Sequence, residues 1–497
     1  MIYDIIIIGG GISGLNVASY STKNLNKLLI EGLDRLGGRI HTEYMKIDNK
    51  EIWFDTGAAR FSKKHFNLMK LLKNLKLKKS MIKYPSKIEY LLKDMKDKTG
   101  YEYIIEAIEK IKKMDKTKMN EITLSEFIKN NYGNDIHEYI LKTFEYGDSM
   151  KYITALQSIN MFKNNYNPLQ QYYTLKNGLQ MIINKLSEKA KRNNTEIMTN
   201  TFVKDVKKIN NLFVVEVGES SKKISCRKVI FACPPNTFKQ FSLIKENDLN
   251  LDVIKYYSLN RVYGYFKNNS WNNFERIVVD NKLKYLLSIN KNVVLTSYTE
   301  GAESKYWLNK TLDGKLEETT VKLLKDTFEE KIENPVVIKN YHWNNALGNW
   351  KKNVDYKSLY KKFINPLKDV FICGDILSLC QDWMEGALQT SNKVIKLLNK
   401  RKNKTQKAGN KLRKISINEV NKHNKRDDAW ISIDNKVYNI TSFIDKHPGG
   451  DVILKGIGKN STELFNNVGH PDYVKKTILP KYLIGILSNP PTRKNKN

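Results

Sequence analysis

Two histidines, in His447-Pro448-Gly449-Gly450 and Val468-Gly469-His470, stand on either side of a short polar, helix-like stretch. Two neutral imidazoles on facing elements suit the axial positions of a haem iron, whose reactivity depends on the side chains that take them. Pro448 fixes a turn after the first histidine, and Gly449 and Gly450 leave room for a flat macrocycle near the backbone. The competing reading is a pair of surface histidines beside turns. At the other end, an apolar run at 2–8 leads into Gly9-Gly10-Gly11-Ile12-Ser13-Gly14 and a helical pattern, then Lys27-Leu28-Leu29-Ile30 and Glu31. Strand, Gly-x-Gly-x-x-Gly, helix, strand and carboxylate in this order form a dinucleotide fingerprint in its proper setting. Gly9 permits the tight turn, Gly11 and Ser13 let backbone N–H groups reach a pyrophosphate, and Gly14 lets the helix pack on the sheet. Glu31 suits the ribose hydroxyls.

A second glycine turn follows, Arg35-Leu36-Gly37-Gly38-Arg39, which a nicotinamide-binding unit does not need. It resembles the second phosphate-contacting motif of the flavin amine oxidase family, the monoamine, polyamine and L-amino-acid oxidases. The resemblance implies that Arg35, Gly38 and Arg39 serve the pyrophosphate, Arg39 supplying charge. Val370-Phe371-Ile372-Cys373-Gly374-Asp375 reads as a buried strand ending at the ribityl and phosphate region. Asp382-Trp383-Met384-Glu385-Gly386-Ala387 begins a closing helix, and its N-terminus is expected to face the flavin ring. By the same resemblance Val203 contacts the adenine through its backbone, and Gly374, Asp375, Trp383, Met384 and Ala387 line the FAD site. The match covers about residues 1–400, and with no cysteine in 341–354 the FAD is expected to be non-covalent.

Four side chains bear on the expected substrate chemistry. Asp55-Thr56-Gly57-Ala58-Ala59-Arg60 resembles a segment of the amino-acid-oxidising branch, in which the arginine grips the substrate carboxylate. The alternative is that Arg60 braces the flavin site. Trp383 stands where monoamine oxidases place an aromatic wall, able to exclude water or hold a charged amine, and core packing is its other reading. Asp382 replaces a usual glycine; it could pair with a substrate ammonium, pair with Arg60, or face solvent. Arg261, before Trp271, takes the place of a lysine that holds a water in many family members. A guanidinium stays protonated and cannot act as a base, which weakens rapid oxygen activation and favours haem as electron acceptor. His41, His65, His137 and His342 have no metal-ligand spacing and read as structural.

Residues 415–488 resemble a cytochrome b5 domain throughout, from Glu419-Val420 and His423 through Trp430, Val437-Tyr438 and Phe443 to Ile484-Gly485. The resemblance makes His447 and His470 the iron ligands of haem b and gives His423 a structural place. The domain carries ten basic and eight acidic residues, so the positive charge of the chain belongs mainly to the flavin part.

These motifs need particular elements around them. The expected architecture is an α/β, Rossmann-like FAD-binding domain with an interleaved α+β substrate domain, plus a small α+β cytochrome b5-like domain. The FAD layer is expected from 1–65, 172–240 and 362–398, and the substrate domain from 66–171 and 241–361. The basic run 399–414 reads as a flexible linker, reaching about 20 Å as a coil, and 489–497 as a disordered tail.

Composition narrows the function classes. At 497 residues and 40% apolar content the chain is globular with two or three units. Its net charge of +33 is spread as lysine through nearly every segment, so nucleic acid is not expected as a partner. The four cysteines form no Cys-x-x-Cys pair, and no apolar run is long enough to span a bilayer. A cytoplasmic protein without signal peptide or transmembrane anchor is the expectation. The function expected is oxidation of a C–N bond in a small-molecule amine or amino acid by hydride transfer to FAD. Electrons pass to O2 or to a one-electron acceptor through the fused haem. Two other classes fit less of the chain: a flavin desaturase or dehydrogenase for an apolar substrate, and a non-catalytic redox protein with a basic surface.

Overall fold

The isoleucine-rich run at 2–8 has no polar face, and it forms the central strand of a sheet covered on both sides. In this computed structural model every residue is described except 1, 48, 145, 165, 168, 169, 269–272, 291, 329–331, 410–412, 472 and 489–497. Two compact units divide the chain, 1–399 and 400–497.

In the first unit the strand Ile2–Ile8 lies parallel between Lys27–Ile30 and Lys222–Phe231. The seven-stranded sheet runs Val203–Ile209, Leu212–Val217, Lys222–Phe231, Ile2–Ile8, Lys27–Ile30 and Thr195–Met198, with Val370–Ile372 pairing with Lys222–Phe231. Parallel strands buried on both faces read as continuous Val/Ile/Leu runs, and Ile5, Ile6, Ile7, Val229, Ile230 and Phe371 are all fully buried.

A second sheet has six strands in the order Val337–Trp350, Ile254–Tyr265, Val293–Glu300, Tyr285–Ser288, Arg276–Val279 and Ile88–Leu91. Helices accompany it, among them Gly100–Ile111 and the long Leu124–Thr143, where Gly133 at φ +84 breaks the helical path. Thr99 and Thr123 start these helices with reciprocal capping by Glu102 and Glu126. Register places Arg261 between Tyr298 and Tyr341 on neighbouring strands.

The helix that begins at Met384 corrects one expectation. It enters the basic stretch 399–414 read as a coil linker and reaches Gly409, while 410–412 lie outside the described residues. Lys, Arg, Gln and Ala are good helix formers, and propagation from an established helix is easier than nucleation. The segment has no proline to stop it before Gly409.

In the second unit the sheet order is Arg413–Ile415, Leu483–Leu487, Lys436–Asn439, Asp428–Ile433 and Asn424–Lys425, with Lys459–Asn460 beside Asp428–Ile433. One core gathers Ala429, Ile431, Ile433, Tyr438, Ile440 and Ile444; a smaller one gathers Ile415, Val420, Val437 and Leu487. Trp271 and the tail 489–497 lie outside the described residues. Among the described residues, no helix is long and apolar enough to cross a membrane.

Candidate functional site

The glycine turn after Ile8 is sterically obligatory. Gly9 has φ +111, and a Cβ there would lie 2.8 Å from the Ala232 carbonyl. A Cβ on Gly14 would lie 2.0 Å from the Gly9 carbonyl oxygen, so the helix Ile12–Tyr20 can pack this closely only because Gly14 has no side chain. No side chain caps that helix at Gly11, which leaves its first N–H groups for a ligand.

This turn opens onto a cavity of about 470 Å³. Gly9, Gly11, Ser13, Glu31, Gly38, Arg39, Val203, Gly374, Asp375, Trp383, Met384 and Ala387 line it, and so do Arg60 and Arg261. Gly14 and Arg35 stand behind the wall: Gly14 supports the turn, while Arg35 donates to the Gly38 carbonyl at 3.1 Å and lies over Trp343. Glu31 holds the turn as well as facing the cavity, accepting from Gly10 N at 2.6 Å and Leu33 N at 2.9 Å. Ser13 donates to the Ala387 carbonyl at 3.2 Å, which joins the glycine turn to the helix after Trp383.

Arg39 and Asp375 form a bidentate pair, and Arg39 also donates to the Ala346 carbonyl at 2.6 Å. Neutralised in this way, Asp375 can border a phosphate chain without repelling it. Arg261 has a buried Nε with no hydrogen-bond partner. Uncapped N–H groups, an arginine donor and a glycine turn that presents bare backbone at Gly9, Gly11 and Gly14 fit a dinucleotide such as FAD.

Beyond this cradle the walls become aromatic. Trp383 stacks on Tyr172 at 6.1 Å and meets the His65 edge at 4.9 Å, while Tyr146 stacks on Tyr166 at 4.7 Å. Arg60 lies 4.4 Å from the Tyr172 ring centroid and donates to the Tyr146 hydroxyl. Among the described residues it forms no ion pair. Arg261 donates to the Asp55 carbonyl at 3.0 Å and lies over Tyr298. Burial opposes its charge, but the nearby oxygens of Tyr263, Tyr298 and Tyr84 keep it protonated.

Two carboxylates share this part of the cavity. Asp382, half-buried at φ +66, accepts from Gly348 N at 3.0 Å and Asn349 Nδ2 at 3.3 Å. Among the described residues it forms no ion pair, so the pairing with Arg60 is not seen. Burial, reinforced by Asp375, pushes its carboxyl up to about 7. Glu300 is 3% exposed, accepts from the Tyr298 hydroxyl at 2.6 Å and from Ser149 Oγ, and is pushed up to about 8 by burial. Sequence reasoning missed Glu300, Tyr298, Tyr166 and Tyr146. The available signal was an acidic residue closing the fully buried strand Val293–Glu300.

In the second unit the His447 and His470 rings lie 6.3 Å apart between centroids. That spacing is roughly twice the sum of a metal–nitrogen bond of about 2 Å and the ring's own radius. Each Nδ1 engages a backbone carbonyl, His447 with Gly450 at 3.1 Å and His470 with Phe465 at 3.0 Å. Such bonds fix the tautomer and leave Nε2 for iron. Gly449 makes room for the histidine itself, since a Cβ there would lie 3.0 Å from the His447 ring. His423 stacks on Trp430 at 3.5 Å and bonds Asp428 at 2.7 Å, a structural place. The residues fit a bis-histidine haem.

Known proteins give the same division. A family model described as Flavin containing amine oxidoreductase matches residues 12–394, and one described as Cytochrome b5-like Heme/Steroid binding domain matches residues 416–488. Cyclohexylamine oxidase from Brevibacterium oxydans shares the fold with a TM-score of 0.66 at 15% identity, covering 81% of this chain and 100% of that one. A putrescine oxidase variant with redesigned cofactor binding aligns with a TM-score of 0.66 at 14% identity, covering 81% of this chain and 99% of that one. Cytochrome b5 isoform E of Arabidopsis thaliana is 49% identical over 72 residues, 14% of this chain and 53% of the relative. Cytochrome b5 of Rhizopus stolonifer is 43% identical over 84 residues, 17% of this chain and 63% of the relative. The chain thus spans little more than half the length of these curated relatives. The glycine cradle and its cavity belong to residues matched by the oxidoreductase family, and the histidine pair to those matched by the haem domain. The chain belongs to the flavin containing amine oxidoreductases, as an FAD-dependent oxidoreductase that also carries a cytochrome b5-like haem b domain.

Proposed function

We propose that the protein oxidises the C–N bond of a small amine bearing a carboxylate, such as an amino acid, and delivers electrons through its haem. The observation that carries the substrate reading is Arg60: a cation without an ion-pair partner among the described residues, lining an aromatic cavity beside Trp383. A guanidinium held on Tyr172 and Tyr146 can take a carboxylate bidentately. Trp383 and Tyr166 then exclude water from the carbon next to nitrogen, and Asp382 and Glu300 place two carboxyl groups at the ammonium end. When bound, FAD supplies the acceptor for the hydride of that C–H bond, and haem b a one-electron acceptor.

Arg261 supports the haem route over rapid reaction with O2. It occupies the place of a water-holding lysine, and it is fixed to the Asp55 carbonyl and permanently charged. A desaturase or dehydrogenase for an apolar substrate would leave Arg60, Asp382 and Glu300 on the cavity wall with no polar group of the substrate to meet.

The test is anaerobic stopped-flow absorbance of the full chain with L-amino acids, cyclohexylamine and putrescine. Amino acids are expected to bleach the flavin band fastest, followed by appearance of reduced haem. Arg60→Leu raises the dissociation constant for the amino acid by about 30-fold or more, the ~2 kcal/mol and upward expected on truncating one partner of a buried charge pair. It leaves cyclohexylamine nearly unchanged. Flavin bleaching without haem reduction removes the relay, and equal losses for both substrates remove the carboxylate role of Arg60.

A further inference from the structure

Glu300 and Asp382 are joined by hydroxyl groups. Ser149 Oγ donates to Glu300; the Tyr257 hydroxyl lies 3.3 Å from Ser149 Oγ, 2.9 Å from Asn349 Oδ1 and 3.5 Å from Asp382 Oδ2. Tyr298 closes the far end on Glu300 at 2.6 Å. Both carboxylates line the cavity that holds Trp383, while Tyr257 and Ser149 are buried behind it. Two carboxyl groups linked through two hydroxyls, and open to the substrate space at both ends, form a path for a proton.

The amine chemistry requires one. An amine arrives largely as an ammonium, whose nitrogen has no lone pair to assist loss of hydride from the neighbouring carbon. A group must first take the proton, and neither Arg60 nor Arg261 can. We propose that Asp382 is the base that takes the ammonium proton of the bound amine, and that Tyr257 and Ser149 pass it on to Glu300. The N–H bond breaks and an O–H bond forms on the Asp382 carboxylate, with no change in oxidation state. Tyr257 then accepts that proton and gives its own to Ser149, whose hydroxyl proton goes to Glu300. The inference rests on the amine-oxidation reading and names the proton acceptor within that site.

The electrostatic surroundings suit the task. Asp382 is faced by Arg39 and Asp375 on one side and by Glu300, Tyr257 and Tyr166 on the other. Glu300 is faced by Asp148 and Asp382, with Ser149 and Tyr298 donating to it. Burial, with Asp375 acting on Asp382 and with Asp148 and Asp382 acting on Glu300, raises the two carboxyls to about 7 and about 8, and a pair so linked titrates as a unit. Because both values are raised, Asp382 is protonated and inactive below about 7, and the relay is fully open only once Glu300 is also ionised, above about 8. Flavin reduction therefore rises with pH.

The experiment is anaerobic flavin reduction by the holoprotein at saturating amine across pH, using the L-amino acid, cyclohexylamine and putrescine panel. The wild type is expected to show a rising limb near neutrality. Asp382→Asn removes that limb and slows reduction at neutral pH by about 100-fold. Glu300→Gln keeps the limb set by Asp382 but slows reduction, because the relay has lost its terminal acceptor. Difference infrared spectra of the holoprotein give a second readout: a protonated-carboxyl band that titrates near neutrality and loses one component in each variant. If Asp382→Asn fails to load FAD, Glu300→Gln and the infrared band decide. Reduction by an amine with an unchanged profile in both variants, or no titrating band, overturns this proposal alone. Absence of flavin reduction by every amine in the panel overturns the amine-oxidation reading and this proposal with it.

Discussion

Replacing His470 by alanine abolishes the bis-histidine haem spectrum while the flavin absorbance of the same protein is retained. Loss of an outer partner of a metal ligand typically costs 10–100-fold in affinity, and loss of the ligand itself is expected to exceed about 100-fold. The geometry explains why no neighbour substitutes. His470 is oriented by the Phe465 carbonyl at 3.0 Å and by stacking on the Phe465 ring at 4.2 Å. His423 is committed elsewhere, to Trp430 and Asp428. The check is a reduced-minus-oxidised difference spectrum beside the flavin band. His423→Ala is the matched control: it loosens the packing around Trp430 but leaves the haem bands in place. Haem retained at full content in His470→Ala sinks the ligand assignment.

The same pair shows what was legible in the sequence. Both histidines and the glycines around them could be read from residue type and spacing, because axial ligation needs two imidazoles at turns. The reason for Gly449 could not, since only coordinates show that the His447 ring itself takes the space. In the flavin unit, the strand, glycine turn and carboxylate were legible because each is a local backbone requirement. Arg39 and Asp375 were each assigned to the cofactor, yet their mutual pairing across 336 positions of sequence leaves no local signal.

Glu300 and Tyr298 escaped for the same reason. They meet Ser149 and Tyr146 only because the strand Val293–Glu300 packs beside the turn Gly147–Lys151. The linker was misread on different grounds. A segment without apolar periodicity need not be coil when strong helix formers extend a helix already begun.

Gly14→Ala is expected to cost the protein both its FAD and about 3 kcal/mol of stability in the flavin unit, at the upper end of the overpacking range. The added Cβ would lie 2.0 Å from the Gly9 carbonyl oxygen and 3.2 Å from the Ala232 Cβ. Gly9 cannot retreat, because its φ is +111 and Ala232 and Cys233 backbone atoms close in on its other side. Relief must come from moving the helix Ile12–Tyr20 off the sheet, which uncovers Leu15 and Val17, both fully buried. Gly11→Ala separates the two effects. Gly11 has φ −71, and the nearest atom to a Cβ there is the Gly37 carbonyl at 3.9 Å. The chain therefore accommodates this methyl without strain, and the space it fills is the cavity at the uncapped helix end. Gly11→Ala should keep the wild-type melting temperature of the flavin unit and still lose flavin, read as the flavin-to-haem absorbance ratio of the purified protein. A Gly11→Ala protein with full flavin content would mean that the pyrophosphate does not approach this backbone. The glycine turn would then serve only to let helix and sheet pack.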